Sequence, residues 1–441
     1  MAPMTALAAL PAHGVGSRED LPLPFAYVLV GAALALAVSF VALGLGWRTP
    51  KIRAEDGVQL PGGVQRFLDS RGLRVVVAVA GLALTAWTLL ALAAGQDDAN
   101  NPVPYVVYVW LWVALAFASI LLGPVWSLLN PVHWLHRGIL AAARIAPDFV
   151  LTERRVGYWP AAVGLFAFVW LELVAPDNTS LTTMRVAIVG FLLIDLVLAL
   201  VLGARAHREA DPFEAWSRLL GTLSILGRRT DRRWVARTPV HGPILLEIRP
   251  GLLATASVML GSTAYDSFAG QPRWFTFVQG TAQPRLIETL GLLGMCLVVA
   301  GLMYGATALS ARLAHQPVRG MASAFAPSLL PIAAGYLVAH YWSLWVWEGT
   351  NALAKLSDPL GTGANWLGTG HLTPSAALIA PGFVSVLQVV AIVTGHVLGV
   401  VVAHERAVAL FDRRTAVIGQ LPLVIVMVVY TVAGLTLLFS H

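Results

Sequence analysis

The chain has 441 residues, of which 57% are hydrophobic and only 12% charged, with a formal net charge of +6. A soluble domain of this length carries about a quarter charged residues, so a water-exposed globule is excluded and a lipid-facing surface is expected. The single cysteine, Cys296, excludes a disulfide framework and thiolate metal cages. The basic charge lies between apolar runs, which points to membrane loops rather than to nucleic acid.

The first element is a tail, residues 1–23. Met1 to Ala12 is apolar and ends LPA, but it lacks a basic start, so it reads as a degenerate signal segment or a plain tail. Cleavage after Ala12 would leave His13 as a new N-terminus, whose amine and imidazole form a candidate copper chelate. Residues 24–441 read as one transmembrane helical domain, because no polar stretch is long enough for a separate core.

About 20 apolar residues are needed to cross about 30 Å of hydrocarbon. Ten segments meet or approach that length: 24–46, 73–95, 105–129, 156–175, 183–204, 251–270, 286–310, 321–347, 376–403 and 417–440. The expected fold is therefore an all-α integral membrane helical bundle of about ten spans. The sixth is the least apolar and contains GSTAYDSF, which suits a helix end or a broken helix facing protein or water. Most Lys and Arg fall in the loops 47–72, 130–155, 205–250, 311–320 and 404–416. Arg18, Arg185, Arg273, Arg285 and Lys355 lie on the other side. That bias puts both termini outside a bacterial plasma membrane. The basic loops would meet anionic lipid headgroups. Residues 134–145 and 213–226 mix apolar and basic positions at helical spacing and are expected to lie along the surface.

An ionisable group inside a span is costly and marks a candidate site. By residue rise, Glu172, Asp266 and His340 share one layer in the outer third of the bundle. Two carboxylates and an imidazole suit a divalent metal (zinc, manganese or copper) or proton exchange. The competing expectation pairs Glu172 with Arg185 and makes Asp266 a helix-end cap. Asp195 and His396 lie at similar depth in the inner half, with His404 about two turns further in, and form a candidate coupling or relay site. Its structural alternative is a satisfied hydrogen bond. Haem is disfavoured, because His340 and His396 differ by roughly 18 Å in depth and axial ligands must face each other. His133 and His136, three apart, lie on one helix face and are expected to rest at the interface. GxSxG, GxxxxGK[ST] and HExxH are all missing.

Five strings together carry a resemblance: AHGVGSREDLPLP, WLELV, GSTAYDSF, FAPSLLPIAAGYLVAHYWSL and GHVLGVVVAHERAVALF. With these the chain resembles bacterial polytopic membrane proteins of the fenitrothion-hydrolase-like family, over nearly its whole length. The resemblance implies a membrane-embedded hydrolase of organophosphorus esters and assigns no catalytic residue. Three functions stay open. One is a transporter of a small solute, proton or metal ion. The second is a metal-dependent hydrolase built on Glu172, Asp266 and His340. The third is a membrane assembly protein.

Overall fold

The computed structural model describes residues 18–146, 149–152 and 156–439. His13 and the Met1–Ala12 segment lie outside the described residues.

The chain is an all-α bundle of a multi-pass membrane protein. Among the described residues, eight helices are long and apolar enough to cross a bilayer. They include α1 (Phe25–Gly46), α2 (Arg71–Ala94) and α3 (Val103–Leu122). The short α4 (Pro131–Ala142) and α5 (Trp159–Leu173) follow, then α6 (Leu181–Ala210) and α7 (Pro212–Gly221). The second half holds α8 (Leu252–Ala269), α9 (Pro284–Leu313), α10 (Leu329–Leu356), α11 (Pro381–Leu410) and α12 (Ala416–Leu438).

Two of the ten expected spans differ from the other eight. The fourth is α5, whose 15 residues rise only about 22 Å. The sixth is α8, 18 residues long, with Ser257, Ser262, Thr263, Tyr265 and Ser267 all buried. Its polar side chains are tolerated because neighbouring helices, not lipid, surround them.

The outer helices carry the opposite pattern. Tyr27, Val30, Leu34, Val38, Val41 and Leu45 of α1 are exposed, as are Val186, Val189, Leu193 and Val197 of α6. Such stripes would be a liability in water and are the expected surface against lipid tails. The centre is α10, buried along most of its length. It meets α11 where Gly335 faces Gly395: a Cβ on Gly395 would lie 2.6 Å from the Pro331 carbonyl oxygen. Small residues at this crossing allow backbone-to-backbone approach.

Helix starts follow local chemistry. Ser70 and Ser180 accept from the amides of Leu73 and Thr183, and so cap α2 and α6. A small antiparallel sheet joins two basic loops at one end, in the order β1 (Val58–Gln59), β3 (Trp234–Ala236), β2 (Leu226–Arg228). That end is called the basic end below.

The two segments expected along the surface differ in burial. α4 buries Val132, His136 and Leu140 while Leu135 is exposed. α7 is buried on nearly all sides, with Trp216 stacked on Trp112 at 3.9 Å. Its polar face turns to other helices instead of to water, so amphipathic spacing alone misplaced it.

Candidate metal centre

The inner cluster depends on a break in α6. Asp195 and His207 are twelve residues apart, which in a straight helix is about 18 Å. Gly203 interrupts the helix at φ 71°, ψ 163°, a backbone region essentially restricted to glycine. The chain turns back there, and His207 Nε2 shares a 2.9 Å hydrogen bond with Asp195 Oδ1. The carbonyl freed by the break is not wasted: Val201 O accepts from the amides of Leu151 (3.1 Å) and Thr152 (3.2 Å). A Cβ on Gly203 would collide with Val150.

Asp211 completes the group from the next turn. It caps α7, its Oδ1 accepting from the Phe213 and Glu214 amides at 2.8 and 3.0 Å. Its Oδ2 accepts from Asn130 Nδ2 at 2.6 Å and from Trp126 Nε1 at 3.4 Å. One ligand atom from each of Asp195, His207 and Asp211 lies within 4.8 Å of the others, and all three residues are buried. Among the described residues this is the one such convergence of three metal-ligating side chains. Asp195 Oδ2 is buried with no hydrogen-bond partner, and so is His136 Nε2 on α4. Burial pushes the His136 pKa down, leaving a neutral imidazole at neutral pH.

An oxygen–nitrogen donor set without sulfur suits zinc or manganese better than cuprous copper. Asn130, Trp126 and two backbone amides would hold Asp211 in place as an outer shell. Asp195 also lines an apolar cavity of about 1610 Å³, together with Trp110, Phe168, Trp170 and Phe213.

The outer residues form a different object. Asp266 and Ser267 end α8, and His340 faces them from α10. His340 Nε2 lies 2.9 Å from Asp266 Oδ2, and its Nδ1 lies 3.1 Å from Ser267 Oγ. Tyr341 donates to Asp266 Oδ2 at 3.0 Å, and Tyr336 donates to Ser267 Oγ at 2.8 Å. Five side chains thus make one continuous hydrogen-bonded file. Glu172 lies close enough to feel the Asp266 charge. Its Oε2 is buried without a hydrogen-bond partner. Arg185 makes no ion pair with it; the Arg185 Nε–H donates to the Leu92 carbonyl at 2.9 Å.

The structure brings Asp266 and His340 together and places Glu172 near them. The Asp195–His396–His404 grouping needs correction. Asp195 takes His207, because the break at Gly203 folds the chain back on itself. His396 Nδ1 bonds to the Ile392 carbonyl of its own helix at 2.8 Å. His404 lies between Gln420 Oε1 (2.9 Å) and the Trp47 carbonyl (2.7 Å), fastening the loop after α1 to α11 and α12. The converging metal donors likewise lie at Asp195, His207 and Asp211 instead of at Glu172, Asp266 and His340.

Sequence reasoning missed His207 and Asp211 by assigning them to a polar loop. The available signal was Gly203, a helix breaker, followed by a His and an Asp four residues apart. Ser267, Tyr336 and Tyr341 were missed as well, since neutral hydroxyls carry no burial alarm. No family model matches this chain, and no curated protein or solved structure matches it.

Proposed function

We propose that the protein handles ions within a bacterial plasma membrane, binding a divalent metal at Asp195, His207 and Asp211 and exchanging protons along the Asp266–His340 file. The observation that carries this reading is the unpartnered, buried Asp195 Oδ2 beside a second carboxylate and an imidazole. Two buried carboxylates are costly when left uncompensated, and a divalent cation supplies the missing charge. Polar groups within spans, next to a broken helix, are the usual architecture of ion and solute transporters. The apolar cavity beside Asp195 gives the site a low-dielectric wall, and the basic loops favour anionic headgroups. The test is metal content of the purified protein. The parent should retain one zinc or manganese per chain, and Asp195→Asn and Asp211→Asn should lose it. A metal-free parent after equilibration with either ion would sink the reading.

A second reading is the ester hydrolase that the family resemblance implies. Ser267, His340 and Asp266 stand in the series hydroxyl, imidazole, carboxylate, which supports nucleophilic catalysis. Ser267 Oγ would bond to phosphorus as the aryloxide leaves, with its proton passing to His340. Water would then cleave the Oγ–P bond. Aryloxide release from a nitrophenyl phosphotriester, abolished by Ser267→Ala, is the expected outcome. Equal release by parent and variant would discard it.

A further inference from the structure

At the basic end, a pocket of about 390 Å³ is walled by five arginines and two glutamates. Three of the arginines are already committed. Arg228 pairs with Asp69, Arg229 with Asp231, and Arg249 with Glu209 (3.5 Å) and Glu247 (2.8 Å). The other two are not. Among the described residues, no carboxylate lies within ion-pair distance of Arg218 or Arg237. The hydrogen bond of the Arg237 side chain is a long one, 3.4 Å, from Nε to the Ser224 carbonyl. Both residues are half-buried. Burial holds the Arg237 pKa below its ordinary value, the sign of a cation stripped of water without a counter-charge.

The backbone has made room for this cation. Gly227 on β2 lies beneath the Arg237 guanidinium, and a Cβ there would collide with Nε and Cζ. The adjacent strand fixes the start of the same side chain, because the Arg237 amide donates to the Ile225 carbonyl at 2.8 Å. Tyr158, buried, lines the same pocket and adds a hydroxyl. A guanidinium fork matches two oxygens of a phosphate group, and two such forks with a hydroxyl match a phosphoryl group in particular.

We propose that the pocket lined by Arg218, Arg237 and Tyr158 is a binding site for a phosphate-bearing ligand. The ligand is either a phospholipid headgroup entering from the bilayer surface or a soluble phosphate compound entering from water. The site is separate from the metal centre and does not depend on it.

The test uses the full-length protein in phosphatidylcholine nanodiscs. One arm titrates pyrophosphate by calorimetry. The other adds phosphatidylglycerol and reads lipid retention by native mass spectrometry. Arg218→Gln and Arg237→Gln should each weaken binding about tenfold, the usual scale for one charge-assisted contact. Gly227→Ala keeps all five arginines and displaces only one, and should weaken binding several-fold at an unchanged melting temperature. Arg233→Gln, a nearby arginine that does not line the pocket, should have no effect. A response to pyrophosphate assigns a soluble ligand. Retention of phosphatidylglycerol without that response assigns a headgroup. Binding in neither arm, or an equal loss in Arg233→Gln, overturns the proposal.

Discussion

The two polar layers are built from the same residue types and reach different ends. In the outer file each imidazole nitrogen of His340 meets an oxygen, and the hydroxyls of Tyr336 and Tyr341 complete the chain. In the inner cluster Asp195 Oδ2 is left over, and His136 Nε2 nearby is left over too. The outer file satisfies itself across two packed helices, which suits moving a proton along existing bonds. The inner cluster converges around a broken helix with unused donor atoms, which suits holding something brought from outside. Glu172 Oε2 beside the outer file is likewise buried and unbonded, so what separates the two layers is convergence: in the inner one the unbonded carboxylate oxygen belongs to a group of three metal-ligating side chains.

The largest expected effect comes from removing the inner imidazole. His207→Ala leaves Asp195 as a buried carboxylate without its partner, a change that typically costs about 3–5 kcal/mol. We expect a marked fall in melting temperature of the detergent-solubilised protein, together with loss of bound metal. A variant that melts like the parent would show that the Asp195–His207 bond contributes little.

Gly203→Ala tests the break without touching a ligand. A side chain at φ 71°, ψ 163° is strained by about 1–3 kcal/mol and meets Val150 as well. Metal binding should fall while aromatic signals from Tyr336 and Tyr341 in the outer file stay as they are. Loss of both would mean that the two layers are mechanically joined.

Tyr336→Phe removes one neutral hydrogen bond, to Ser267 Oγ, and should cost about 1 kcal/mol. Metal content should not change. Proton exchange across liposome membranes should slow if the file carries protons.

The smallest effect is expected at the sheet on the basic end. The hydrogen bond and charge of Arg229 hold the exposed Asp231 carboxyl down at about 2, against an ordinary 3.8. A depressed carboxyl pKa contributes stability that is present above pH 3.8 and lost as the pH falls through about 2. Hydrogen exchange at the Arg233 amide, which donates to Asp231 Oδ1, should be flat from pH 8 to 5 after correction for intrinsic rates, and should loosen only under strong acid.

The bundle itself was legible, because span length and apolar content are properties of a single segment. Pairings across the bundle were not. Depth along a span assumes an unbroken helix, and on that assumption Asp195 faces His396 and His207 falls in a loop. The outer pair, Asp266 and His340, lies on two spans that are straight where it matters, and there the depth estimate places both residues at one level. α7 was misplaced for another reason: spacing identifies a polar face but does not say whether water or protein lies against it.

The stretch Val106–Ala114 of α3 is wound as a π-helix, its hydrogen bonds spanning one residue more than those of its flanks. It therefore sets the angular phase of everything that follows it in that helix. Rewinding the segment to an ordinary α-helix without removing a residue would rotate the rest of α3 by about 100°. Trp112 would turn away from Trp216, whose indole now donates to the Trp112 carbonyl at 3.2 Å. The next helix to feel it would be α7, whose first capping residue is Asp211. A change in winding number in one helix would thus be read out as a misaligned carboxylate in another.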